Sequence, residues 1–304
     1  MSVSNSEPGD VQARIAQLYV YPVKSCAGIA LSDALLTDTG LDLDRAWMVV
    51  DAQGQFVTQR EQPRLALVQP QFSRGGSELV LRAPGMLALH LRVDVVEQAT
   101  QVRVWDDAVA AFDMGDIAAQ WFTDFLSLSD QGLPVAQAAR YRLVRFDPEH
   151  QRLSSLKWTD GVQAANQFSD GFPLLVLSQA SLDDFNARLQ AAGHEPVAMM
   201  RFRPNLVLSG VEAYDEDRLD GLRVAADEAT VVIKPVKPCP RCPIPNIDPA
   251  TALSSPAVGD ALQAYRCHAG LNGAVTFGMN AITLQGVGAL LRVGQTVQAN
   301  FRFD

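Results

Sequence analysis

The sequence predicts a mostly β chain with some α-helix, an α+β protein whose first third folds as a small barrel or sandwich. Three observations carry that expectation. Short segments of alternating apolar and polar residues recur throughout, bounded by Gly, Pro and Asp clusters. Apolar residues fall at helical spacing in two stretches. No internal repeat appears.

In chain order, "MSVSNSEPGD" (1–10) is polar and reads as a disordered tail without the basic start and apolar core of a signal peptide. "ARIAQLYVYPVKS" alternates until Pro22 stops the strand, and "RAWMVVDAQGQFVTQR" reads as a hairpin around Asp51, Ala52, Gln53 and Gly54. "SELVLRA", "ALHLRVDVV" and "QVRVWD" add strands. In "DIAAQWFTDFLSL" the residues Ile117, Trp121, Phe122, Phe125 and Leu126 share one helix face. "SDQGLPVAQAA" is a linker or loop, and "RYRLVRF" is a strand before an irregular stretch to about Gly171. "PLLVLSQASLDDFNARLQAAG" is a buried strand running into a helix. Ser178 or Ser181 is its N-cap, Leu182, Phe185 and Leu189 its apolar stripe, and Gly193 its stop. "PNLVLSG", "LRVAADEATVVIKPV", "FGMNAITLQ" and "ALLRVGQTVQANFRF" keep the remainder strand-like. The domains are expected over 11–128 and 139–304.

Length and charge narrow the function. The chain has 304 residues, enough for one large domain or two ordinary ones. A net charge of −9 and a pI near 4.9 argue against nucleic acid as a partner. No apolar run approaches the roughly 20 residues that span a bilayer, so no membrane association is expected. Four cysteines are too few for a disulfide framework, and the cytoplasm is the expected compartment.

The loop "VKPCPRCPIPNID" (236–248) holds two of those cysteines at C-x-x-C spacing. Structural zinc needs four ligands, and the other cysteines, Cys26 and Cys267, are distant in sequence. A redox pair normally opens a helix, whereas Pro240, Pro243, Pro245 and Pro249 impose an extended, irregular backbone. Locally, two inert cysteines in a proline-rich loop would suffice.

The company of that loop changes the reading. "YPVKSC", "LDRAWMVVDAQGQFVTQRE", "FPLLVLSQASL", "FRPNLVLSG" and "PCPRC…NIDP" occur in this order. Together they resemble the MOSC family, in particular its members with an N-terminal MOSC β-barrel domain, such as amidoxime reducing components and hydroxylaminopurine reductases. The resemblance implies an N-terminal β-barrel-like domain packed on a MOSC-type β-barrel domain. It implies a molybdenum–molybdopterin cofactor, with Cys242 of the "RC" dipeptide as the metal ligand and Cys239 as a bystander. It places Lys24, Ser25, Arg45, Ser178, Arg203, Asn205 and Arg241 beside Cys242 as cofactor-binding residues. Cys242 and Asp248 are the catalytic candidates, although Asp248 either touches substrate or only shapes the loop. The role of Arg60, in "TQRE", stays open.

These residue types suit the chemistry. Thiolate is a soft ligand for a metal already held by dithiolene sulfur, and arginine, lysine and backbone N–H groups suit a phosphate. Ser178, at a strand-to-helix junction, would either offer a helix N-terminus to an anion or serve only as the cap, and Lys24 and Arg45 taken singly could equally be solvated edge-strand charges. The implied reaction is reduction of small N-hydroxylated compounds (amidoximes, hydroxamic acids, N-hydroxylated bases), with electrons from a separate ferredoxin-like or cytochrome b5-like donor. The alternatives using the same cysteine are a cofactor carrier and a sulfur-transfer protein. His90, His150, His194 and His268 show no catalytic spacing. The chain has no Walker A loop and only half a dinucleotide fingerprint near Gly286. Pyridoxal phosphate is not an expected cofactor.

Overall fold

The computed structural model describes residues 9–127, 139–227 and 229–302. Most of the expected tail and linker lie outside these residues.

The molecule is mostly β, and its centre is a closed seven-stranded barrel. Around the barrel run Leu174–Ser178, Leu206–Ser209, Val11–Val20, Thr296–Ala299, Leu222–Ala226, Ala229–Pro240 and Ala274–Gln285, which returns to the first. Closure leaves no open edge among these strands. The alternation in "VQARI" decides which side chains face inward: Val11, Ala13 and Ile15 are buried while Gln12 and Arg14 are exposed. They join Leu18, Val20, Leu174, Val176, Leu206, Leu208, Val224, Ile233, Ala281 and Val297 in one core. Leu174–Ser178 pairs parallel with Leu206–Ser209. A parallel pair needs a crossover, and the helix α2 (Gln179–Ala191) lies in that connection. At the closing seam Gly278 adopts φ 79°, and a Cβ there would lie 2.8 Å from the carbonyl oxygen of Val176. Only glycine lets the strands meet so closely.

The second body is built on a four-stranded sheet of Trp47–Asp51, Tyr141–Phe146, Asp107–Asp113 and Gln98–Val104. A small sheet, Gln69–Ser73, Glu78–Arg82 and Leu89–Arg92, accompanies it. Its core includes Trp47, Leu65, Leu79, Leu143 and three residues of the helix α1 (Gly115–Leu126): Trp121, Phe122 and Phe125. The chain crosses between bodies twice, because Val11–Val20 pairs in the large barrel and Tyr141–Phe146 pairs with Trp47–Asp51.

The expected hairpin around Asp51 to Gly54 is present. Val50 bridges Phe56, and the Asp51 carboxylate accepts from the backbone N–H of Gln53 and Gln55. One expected core residue is displaced. Ile117 is 80% exposed. The buried stripe of α1 centres on Ala118, Phe122 and Phe125, and Ile117 sits roughly 120° around the helix from it at 3.6 residues per turn. A third helix, α3 (Ala257–Gln263), was not foreseen; it buries Val258 and Leu262.

Candidate functional site

A cleft of about 240 Å³ opens where the two bodies meet. Three sequence features aim residues into it. Pro22 ends the first barrel strand, after which the chain delivers Lys24 and Ser25. The strand Ala229–Pro240 contains prolines that cannot donate to the ladder. Its register against Ala274–Gln285 slips between Val232 and Ile233, Pro235 and Lys237, and Pro238 and Pro240. Its irregular end brings Lys237, Cys239, Arg241 and Cys242 to the wall. The 3-10 turn Met199–Phe202 ends on Arg203 in the left-handed region, φ 59°.

The cleft is cationic. Among the described residues, Lys24, Arg45, Arg60, Arg203, Lys237 and Arg241 line it with a single carboxylate, Asp170. In a chain of net charge −9 this is a local reversal of sign, which concentrates anions. Arg45 pairs with buried Asp44 and donates to Asn205 Oδ1 (3.2 Å) and the Arg203 carbonyl (3.1 Å). Both guanidinium carbons, of Arg45 and Arg203, stand over Tyr21 at 4.4 and 4.3 Å from its centroid. Burial, aided by repulsion from Arg45, holds the Arg203 guanidinium down at about 10. Lys24 is buried, donating to the Phe168 carbonyl (2.7 Å) and Asp170 (2.6 Å). Burial lowers its pKa, against the opposing pull of Asp170.

Three features mark the cleft as built for a ligand. Arg203 Nη2 and Arg241 Nε are buried without a hydrogen-bond partner, a state that costs roughly 1–3 kcal/mol each and is relieved by an acceptor. Ser25, Arg45 and Arg203 all hold positive φ (66°, 52°, 59°), strain of the kind that collects at functional sites. The two loop cysteines differ. Cys239 Sγ accepts from Arg241 Nη1 at 3.2 Å, whereas half-buried Cys242 makes no hydrogen bond among the described residues. Cys26, behind Arg203, is a different case: burial pushes its thiol up to about 12, leaving it inert.

Two family profiles match this chain: the MOSC N-terminal beta barrel domain over residues 12–129 and the MOSC domain over 163–298. Human mitochondrial amidoxime-reducing component 1 is 35% identical over 249 residues, 79% of this chain and 68% of that one. This chain belongs to the MOSC family. Component 2 from Rattus norvegicus is 33% identical over 249 residues (79% and 68%), and human component 2 is 33% identical over 261 (83% and 72%). No helix among the described residues is long and apolar enough to cross a membrane.

In this MOSC protein Lys24, Ser25, Arg45, Arg203, Asn205, Arg241 and Cys242 all line the one cleft. Asn205 does so as a scaffold. Its amide donates to the Tyr19 carbonyl and accepts from Leu175 N and Arg45, tying two barrel strands to the arginine. Ser178 and Asp248 are not in the cleft. Ser178 lies at the far end of its strand, fully buried, capping α2 by accepting from Ser181 N (3.0 Å). The N-terminus of α2 already faces an acid: the Glu216 carboxylate accepts from Ser178 N and Ser181 Oγ. Ser178→Ala is therefore expected to lower stability by about 1 kcal/mol, read as a fall in the urea midpoint. Asp248 pairs with Arg201 (3.0 Å) and accepts from Ala250 N (2.7 Å) and Thr251 N (3.2 Å), the contacts of a loop-shaping residue.

The structure adds wall residues that the sequence did not assign: Arg60, Lys237, Asp170, Phe172 and Asn280. Asp170 sits in the irregular stretch, held by buried Arg152. That guanidinium donates to Asn166 Oδ1 and the carbonyls of Gln167 and Ser169, and pairs with Asp107 at 2.7 Å. "PVKPC" (235–239) had a visible signal for Lys237, a cation two residues before a cysteine, but nothing periodic marked Asp170.

Proposed function

We propose that this MOSC protein is a molybdenum-cofactor-dependent reductase of small N-hydroxylated compounds, supplied with electrons by a separate ferredoxin-like or cytochrome b5-like protein. The observation that carries the reading is the meeting of an unengaged thiol, Cys242, with two buried, unpaired guanidinium nitrogens in a six-cation cleft. That donor set fits a phosphorylated, sulfur-chelated metal group: a soft thiolate for the metal and forked cations for the phosphate. The amidoxime-reducing relatives support the same chemistry.

In this reading Cys242 ligates the metal, and Lys24, Arg45, Arg203 and Arg241 hold the anionic pterin, with Ser25 at the same wall. The bound group supplies the two-electron chemistry that cleaves an N–O bond. Asn205 and Tyr21 keep Arg45 and Arg203 aligned, so little ordering is needed on binding. Arg241 Nη1 holds the Cys239 sulfur and Nη2 the Phe202 carbonyl (2.8 Å), fixing the loop from which Cys242 projects.

The test is elemental analysis of protein from a molybdopterin-competent host, with benzamidoxime reduction driven by a chemically reduced mediator. Bound molybdenum with turnover supports the proposal. Cofactor without turnover identifies a carrier, and sulfane sulfur on Cys242 identifies sulfur transfer.

A further inference from the structure

Beside the cationic cleft lies a second, larger cavity of about 670 Å³, walled by Phe56, Trp105, Tyr141, Gln62 and Arg60. Arg60 lines both spaces and is their shared wall. Resting on the reductase reading above, we propose that this cavity is the subsite for the flat ring of an aromatic or heteroaromatic N-hydroxylated substrate, whose N–O group enters the cleft past Arg60.

The aromatic wall is constructed rather than incidental. Trp105 is the first residue of the two-residue turn between Gln98–Val104 and Asp107–Asp113. Such turns favour Gly or Asn where φ is positive, yet Trp105 holds φ 56°. A bulky residue there is strained. The turn presents an indole that is 44% exposed. Phe56 stacks on it at 5.0 Å and a 60° tilt, and the Phe56 N–H donates to the Arg103 carbonyl (3.1 Å), pinning it to the same hairpin.

Arg60 completes the pair. Its guanidinium carbon lies 4.6 Å from the Trp105 centroid. Nε is held by Thr58 Oγ1 (3.1 Å) with Glu61 at 3.6 Å, and among the described residues its terminal nitrogens carry no hydrogen bond. Lys24, from the cleft, stands 5.6 Å from the Phe56 ring. A planar ring entering here meets indole and phenyl surfaces at offset-stacking or edge-on geometry. Along its edge lie the amide of Gln62, which donates to Tyr141 Oη (2.8 Å), and those of Gln53 and Gln55. A short aliphatic substrate gains none of these contacts. The subsite thus favours ring-bearing substrates over small ones sharing the same reactive group.

Two measurements test this on the loaded, full-length protein. In the first, kcat/KM for benzamidoxime and acetamidoxime is compared in wild type, Trp105→Ala and Trp105→Phe. The benzamidoxime-to-acetamidoxime ratio should fall about tenfold in the alanine variant, the scale of one lost ring pair, and recover in the phenylalanine variant. A ratio unchanged by Trp105→Ala overturns the subsite. The second needs no turnover. Benzhydroxamic acid should quench part of the wild-type tryptophan emission saturably, and Trp105→Phe should lose that component. Equal quenching in both proteins overturns the proposal. A wild-type protein that reduces neither amidoxime yet shows the Trp105-dependent quench keeps the ring site and sinks the reductase reading instead.

Discussion

Cys242→Ala, produced in molybdopterin-replete cells, is expected to lose reductase activity and most of its molybdenum. The thiol is the soft donor in the cleft that no hydrogen bond engages among the described residues, and its loss should weaken metal retention by at least about a hundredfold, the upper scale on which outer-shell partners alone affect metal sites. Cys239→Ala removes only the sulfur that accepts from Arg241. Arg241 keeps its bond to the Phe202 carbonyl, so activity should fall by less than about tenfold, as for one modest hydrogen bond. Metal content by plasma emission and turnover with a reduced mediator decide the matter. Equal losses in the two variants would transfer the ligand role to the pair or to Cys239.

Arg203→Ala is expected to yield folded protein that elutes from gel filtration largely without pterin. The guanidinium sits at a strained backbone position, stacked on Tyr21 and anchored to the Cys26 carbonyl at 2.7 Å, with Nη2 buried and unpaired. A charge-assisted hydrogen bond contributes about 1.5–3 kcal/mol, so retention should drop by roughly ten- to a hundredfold. Arg203→Lys retains charge without the planar fork and should fall between wild type and alanine. Pterin fluorescence after oxidation measures the outcome, and circular dichroism shows whether the fold persists. A folded alanine variant with full cofactor content would remove Arg203 from the anchor.

Much of the architecture could be read from alternation. "VQARI" and "LRVAA" form strands where the alternation places them, because period-two burial is a local property of sequence, whereas "LLVLS" is buried at every position and was legible as a continuous apolar run. What alternation does not encode is partnership. Nothing in "ARIAQLYV" announces that it pairs with Leu206–Ser209 and Thr296–Ala299. α3 escaped notice because seven residues with two buried apolar side chains give too short a period, though the preceding Pro256 was a usable start signal.

Within the cleft, motif matching gathered seven residues that the fold indeed collects. For Ser178, a strand-to-helix serine serves equally as an anion site or as a plain cap, and Glu216, 38 residues away, supplies the acid that faces the α2 N-terminus. The Asn205 amide joins Tyr19, Leu175 and Arg45, a scaffolding role that the asparagine alone does not announce in the sequence. Residue type gave the polarity of these positions, and long-range contacts gave their direction.

The long-range pairing of Val11–Val20 with Thr296–Ala299 has a consequence for biosynthesis. One of the strand partners of Val11–Val20, Thr296–Ala299, is made roughly 15–60 s after it at ordinary elongation rates. Throughout that interval an apolar ribbon with an unsatisfied flank is open to misassociation, so nascent chains should depend on holdase chaperones.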